Sequence, residues 1–289
     1  MTTMVTMNHH QQQKQQQFID KLISKQFVSG SVYKPRLGLA APMSNDSVVD
    51  FFKRVDDLDS IKERHFLIRN YSNDHVFCHH REAKFAIEEL AELLGFRERF
   101  LDKELFLYQK LCRLAENIEL DLIFIQPSTR KILAEAVCFP SMWNPSDKVG
   151  KTIEEAHENV PGLNDLIGKS IDRFVGSLGS ASSASNFYQR ANLGIVQTNE
   201  RNQHPKKMLP KLCDPENAYV RIEEQGFYFL PNSKVIVFGI RISHSKISDF
   251  PQRQELANVL NTMNEAMLKY KGICSLEMRN KIVEQLLKQ

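Results

Sequence analysis

Long apolar runs are missing: the longest are four residues, as at Leu122 to Ile125 and Val235 to Phe238, where a membrane-spanning helix needs about 18. The first 17 residues, MTTMVTMNHHQQQKQQQ, carry neither the apolar stretch of a secretory signal nor the arginines of a transit peptide, so a cytoplasmic location is expected. Cysteine is sparse and badly spaced for joint work. Cys78, Cys112, Cys138, Cys213 and Cys274 are odd in number, with 26 residues or more from one to the next. That excludes a disulfide framework and any Cys-x-x-Cys metal or iron–sulfur motif, and reduced, mostly buried thiols are expected. Charge of one sign is not in excess, since 38 basic side chains oppose 35 acidic ones. Without basic clustering or an aromatic and Lys/Arg stripe, no nucleic-acid partner is expected. A dinucleotide glycine fingerprint is absent too.

What remains is an ordinary folding composition, 42% hydrophobic and 25% charged, which argues against disorder and fibrous repeats. Its 289 residues suit two ordinary domains or one large one, at roughly 150 residues each. The glutamine-rich start, 1–17, reads as a solvated tail or the frayed beginning of a helix that turns apolar at Phe18, Leu22, Ile23 and Phe27. Residues 34–73 have mixed patterning and turn signals, reading as a wrapping segment with a short helix near Val48 to Arg54. Phe85, Ala86, Leu90, Leu93 and Leu94 repeat at helical spacing before Gly95, a suitable left-handed cap. A second helix is expected from Asp102 to Asn117. The period then becomes that of strands: 120–126 and 132–139 form a hairpin about Pro127-Ser128-Thr129-Arg130, and further strands lie at 218–224, at a short FYFL run and at 234–242. A helix near Asn164, a Gly/Ser-rich stretch at 176–185 and two C-terminal helices complete the pattern. Clustered strands with helices before, inside and after them make an α+β fold.

Three constellations bear on chemistry. His75, Cys78, His79 and His80 crowd four soft ligands into six residues, but neighbouring side chains diverge, so a polar surface element is the better reading. GLNDLIGKS at 162–170 has five residues between its glycines where a phosphate loop needs four. His157 stands alone before Val160-Pro161-Gly162, and a single histidine specifies nothing by itself.

The surroundings of His157 specify more. Trp143, Pro145, Asp147, Lys148, Gly150, Lys151, Ile153, His157, Val160, Pro161 and Gly162 resemble the signature block of the haem-dependent oxidative N-demethylase-like family. YQRANLGI at 188–195 and RIEEQGFYFLPNSKVIVFGIRI at 221–242 resemble two later blocks, in family order. The resemblance implies a PAS-like antiparallel sheet with flanking helices and helical N- and C-terminal extensions, as a single haem-binding domain over 18–289 with its core at about 120–245.

It also implies a haem-b subunit that oxidises a small amine with dioxygen, using electrons from a separate reductase. The missing fingerprints agree: NADPH, flavin and iron–sulfur chemistry would come only through that partner. His157 matches the position expected to ligate the iron, because a neutral imidazole leaves the opposite haem face open. Lys148, Lys151, Arg190 and Arg221 are cationic candidates for the haem propionates. Asn192, Glu223 and Gln225 are candidates for the catalytic side of the pocket. Two departures stand out. Leu193 replaces a family tryptophan, which removes an aromatic face that could cage an ammonium and predicts poor use of dimethylamine. Glu224 and Phe229 replace arginines. Gas sensing by a haem-binding PAS-like module, or a degenerate relative used only for interaction, is the alternative function.

Overall fold

The computed structural model describes residues 9–24, 47–96, 105–162, 174, 176 and 186–288. Six antiparallel strands form one sheet: β1 (Val76–Cys78), β2 (Asp121–Ile125), β3 (Ile132–Ala136), β4 (Phe187–Val196), β5 (Tyr219–Leu230) and β6 (Val235–Lys246), in the order β1-β3-β2-β6-β5-β4. Nine described helices flank it: α1 (His9–Ser24), α2 (Ser47–Lys53), α3 (Leu58–His75), α4 (Ala83–Leu93), α5 (Leu107–Glu116), α6 (Ile153–Ala156), α7 (Arg253–Thr262), α8 (Glu265–Tyr270) and α9 (Leu276–Leu287). This is the expected α+β class, a PAS-like antiparallel sheet with helical extensions at both ends.

Alternation along the strands assigns the faces. On one face Gly226 and Gly239 admit the rings of Phe51 and Phe52 from α2; a Cβ on Gly226 would lie 2.5 Å from Phe51. Helices α4 and α5 add Ala86, Ile87, Leu90, Leu111 and Leu114 to the same core. Further along this face Ala191, Ile195 and Val220 pack with Phe18, Leu22 and Ile23 of α1 and with Leu256, Leu260, Ile282 and Leu286 of α7 and α9, a second core. Between the two cores lies a buried ionic knot in which Glu224 is bound by Arg54 and, at 3.5 Å, by Arg241.

Several expectations need correction. Residues 58–75 form an 18-residue helix where a wrapping segment was expected. Its apolar positions Ile61, Leu67 and Ile68 are interleaved with a fully buried Arg64, held by Asp121 at 2.9 Å, and with an exposed Phe66, so its periodicity is blurred. β5 is one 12-residue strand, not two. β3 stops at Ala136 because the backbone N–H groups of Cys138 and Phe139 turn to the Asp121 carboxylate. The C-terminal region holds three helices, not two. Phe85 is exposed, and Ala83 and Ile87 take up the buried face of α4, which Gly95 ends with a positive φ as expected. α1 begins at His9, inside the glutamine-rich start. The expected helix near Asn164, the stretch at 176–185 apart from Gly176, and the Asp102 start of the second helix lie outside the described residues.

Candidate functional site

The other sheet face carries most of the expected site residues. Cross-strand pairing sets Arg190 opposite Gln225, Asn192 opposite Glu223 and Gly194 opposite Arg221, so five of the residues expected at the site share this face. Beside them Phe227 and Phe238 stack with centroids 4.2 Å apart, and Phe174 meets Tyr188 and Phe227 edge-on. Tyr188, Arg190, Asn192, Glu223, Phe227 and Phe238 all stay partly exposed. The face therefore offers a flat aromatic floor running into a polar patch.

Glu223 is the hub of that patch. Ser141 Oγ donates to its Oε1 at 2.7 Å, and Asn192 Nδ2 and Gln225 Nε2 donate to Oε2 at 3.1 and 2.9 Å. Burial raises the carboxyl's proton affinity, but the Arg221 charge, the bonds from Ser141 and Asn192, and the Lys271 charge outweigh it and hold the group below the ordinary glutamate range. Arg221 acts through Ser141: its Nε donates to Ser141 Oγ at 2.9 Å, and its other donors go to Phe139 O, Arg201 O and His244. It is 2% exposed, so the guanidinium is a bolt behind the hub more than a free anion receptor.

His157 is positioned by a short, well-anchored turn. Thr152 and Glu155 cap α6 reciprocally. Arg130 pairs with Glu154 at 2.9 Å, and backbone bonds tie 150–153 to 130–132. At the end of α6, His157 Nδ1 lies 2.7 Å from the Ile153 carbonyl. A carbonyl only accepts, so this contact fixes the proton on Nδ1 and leaves Nε2 with its lone pair. Burial, aided by the charges of Lys148 and Arg190, lowers the imidazole's proton affinity and keeps it neutral.

Lys148 links the parts. Its Nζ sits over the Trp143 ring at 4.3 Å, and it is coupled electrostatically to Glu135, Glu223 and His157. Lys151 is exposed at the surface, close enough to Lys148 to repel its charge. Leu193 stands apart: alternation turns it to the opposite face, against the second core. Position 193, where the family has tryptophan, therefore lies on the face away from the site's polar residues, which removes the expected cause of poor dimethylamine use. Glu224 likewise faces the ionic knot, whereas Phe229 shares the parity of Phe227 on the site face and is buried there.

Three chemically apt residues escaped the sequence reading. Glu135 lies on the site face of β3, fully buried, with neither carboxylate oxygen hydrogen-bonded; burial pushes it up to about 8. A single ionisable residue in the apolar run ILAEAVCF was its signal. Ser141 and Lys271 had no local signal. Lys271, after α8, donates to Asn192 Oδ1 at 3.2 Å and to Leu193 O at 2.8 Å. The HVFCHH tract is not wholly the polar surface element expected: His75 is buried, with Nδ1 against Val137 O, while His79 and His80 stay accessible.

The site thus combines an imidazole on a capped turn, stacked aromatic rings and the Lys148 and Arg190 cations on an antiparallel α+β domain. The chain belongs to the haem-dependent oxidative N-demethylase, alpha subunit-like family, whose model matches residues 64–280, three quarters of its length. No curated protein matches it. The residues present suit haem: a neutral imidazole with an open nitrogen, aromatic surface, and cations beside it.

Proposed function

We propose that this protein is a haem-b oxygenase-type subunit that carries out oxidative N-dealkylation, or a related oxidation, of a small amine with electrons from a separate reductase. The observation carrying this reading is the 2.7 Å contact of His157 Nδ1 with Ile153 O, which calls for the proton on Nδ1 and leaves the Nε2 lone pair to a metal, in a chain of this family. His157 would hold the iron, its basicity and ring orientation set by the Ile153 bond. Lys148 and Arg190 would offset the propionates, with Lys151 at the rim and Arg221 acting through Ser141. When bound, haem supplies the activation of dioxygen.

The chain's own residues do the rest. Tyr188, Phe227 and Phe238 exclude water from the floor. Glu223, kept ionised, accepts from an amine N–H, while Asn192 and Gln225 fix its orientation. The family's description as an alpha subunit supports a partner, which would deliver the electrons from NADPH. No described helix is long and apolar enough to cross a membrane, and cytoplasmic residence without nucleic acid suits the balanced charge.

The test is spectroscopic. The purified protein should show an intense Soret band that His157→Ala removes or greatly weakens, with far-UV circular dichroism unchanged. An unaltered haem load and ferrous spectrum in the variant would overturn the ligand assignment. A Soret band without amine oxidation, given a competent electron donor, would favour gas sensing.

A further inference from the structure

Lys271 brings a cation from the C-terminal helices into the hub, and its geometry gives it a task. β4 is an edge strand, and Lys271 binds it twice, at the Leu193 carbonyl and at the Asn192 side chain. An ammonium can only donate, so it dictates which end of the amide faces it. Asn192 Oδ1 must turn to Lys271, and Nδ2 then points at Glu223 Oε2, as observed at 3.1 Å. A carboxylate offers about four lone-pair positions. Ser141, Asn192 and Gln225 occupy three on Glu223, and its partial exposure leaves one for a ligand.

We propose that Lys271 is a positioning residue: it locks the Asn192 amide so that Glu223 stays ionised and presents its remaining acceptor position to the N–H of a protonated secondary amine. The inference rests on the amine-oxidising reading of the site and names the group that receives the substrate. The charged groups facing Lys271 are Glu223 on β5 and Arg190 on β4. Burial drives its ammonium down to about 8, with Glu223 pulling upward and Arg190 pushing downward. Above that pH the neutral amine accepts as well as donates, the amide is free to turn, and Glu223 loses an obligatory donor.

Two measurements separate the parts of the idea, using wild type, Lys271→Arg and Lys271→Met. The first follows the Asn192 side-chain amide by nitrogen-15 NMR in the haem-free protein, the signal being assigned by its loss in Asn192→Asp. In wild type it should titrate with a midpoint near 8, and in Lys271→Arg it should not titrate there. The second follows dimethylamine binding through the Soret band of the haem-loaded protein. Wild-type affinity should fall about tenfold above that midpoint, the scale of one charge-assisted hydrogen bond. Lys271→Arg should keep its affinity, and Lys271→Met should be weakened at neutral pH with an unchanged haem load. Identical amide titrations in wild type and Lys271→Arg would overturn the positioning role, with or without haem. An amide that titrates as expected, beside amine affinity indifferent to Lys271, would overturn the assignment of the amine to Glu223. Failure of the wild type to take up haem would sink the proposed function, while the amide titration would still decide the role of Lys271.

Discussion

Replacing Glu135 by glutamine should change how stability depends on pH more than any surface substitution would. The carboxyl is fully buried without a hydrogen bond, and burial, only partly countered by Lys148, moves it from 4.5 to about 8. In the folded protein it is therefore protonated at neutral pH, while in the unfolded chain it is ionised. Because the folded pKa is raised, the folded state holds more protons between these values, and stability falls as pH rises through that window. At about 1.36 kcal/mol per pH unit, the loss reaches ~3 kcal/mol at neutrality and ~5 kcal/mol once pH exceeds the folded value. Glutamine has the shape of the protonated acid and does not titrate. The stability of Glu135→Gln relative to wild type should be flat below 4.5, climb through the window and flatten above about 8. Urea unfolding of both proteins at acid, neutral and alkaline pH, with matched haem content, gives the difference directly. A difference that does not vary with pH would show that Glu135 is ionised and compensated, and would refute the reasoning.

His157→Ala should abolish the Soret band while the thermal midpoint of the haem-free protein stays near wild type, since the side chain is only half-buried; differential scanning calorimetry checks the second half. Arg221→Ala should cost stability first, ~3–5 kcal/mol for removing one partner of a buried charged network, read as a lower urea midpoint; unchanged stability would deny its role as the bolt behind Ser141. Leu193→Trp should leave amine affinity within about twofold of wild type, because a contribution of about 0.5 kcal/mol or more requires contact, and Leu193 packs against the second core. Tighter binding of dimethylamine by that variant would place residue 193 back beside the substrate.

The strands were legible where apolar runs were bounded by turn residues, as at Leu122 to Ile125 and Val235 to Phe238, because burial imposes that pattern on any sheet. Helix α3 was not, because Arg64 occupies a core position and pairs with Asp121, a partner 57 residues away. The site was half legible. The block around His157 carried it through resemblance, and the hub residues Asn192, Glu223 and Gln225 came with it. Which face each residue serves was beyond reach without strand register: Glu223 and Glu224 are neighbours of identical type, yet one faces the site and the other the Arg54 and Arg241 knot. The same missing register misplaced Leu193. Lys271 was invisible because its meaning depends on a fold that brings it to a strand 79 residues earlier.

The two cores also bear on where a working piece of this chain can be cut. The family match spans residues 64–280, a natural choice for a shortened expression fragment. That fragment would lack Phe51 and Phe52, which fill the notches at Gly226 and Gly239. It would lose Arg54, leaving the Glu224 carboxylate with one guanidinium fewer in a dry interior. It would also strip Phe18, Leu22 and Ile23 from one side of the second core and Ile282, Val283 and Leu286 from another. The helices that carry Lys271 to the hub would then rest on an exposed apolar bed. The region that the family model matches is thus smaller than the set of elements packed on the sheet, and α1, α2 and α9 supply walls of its two cores.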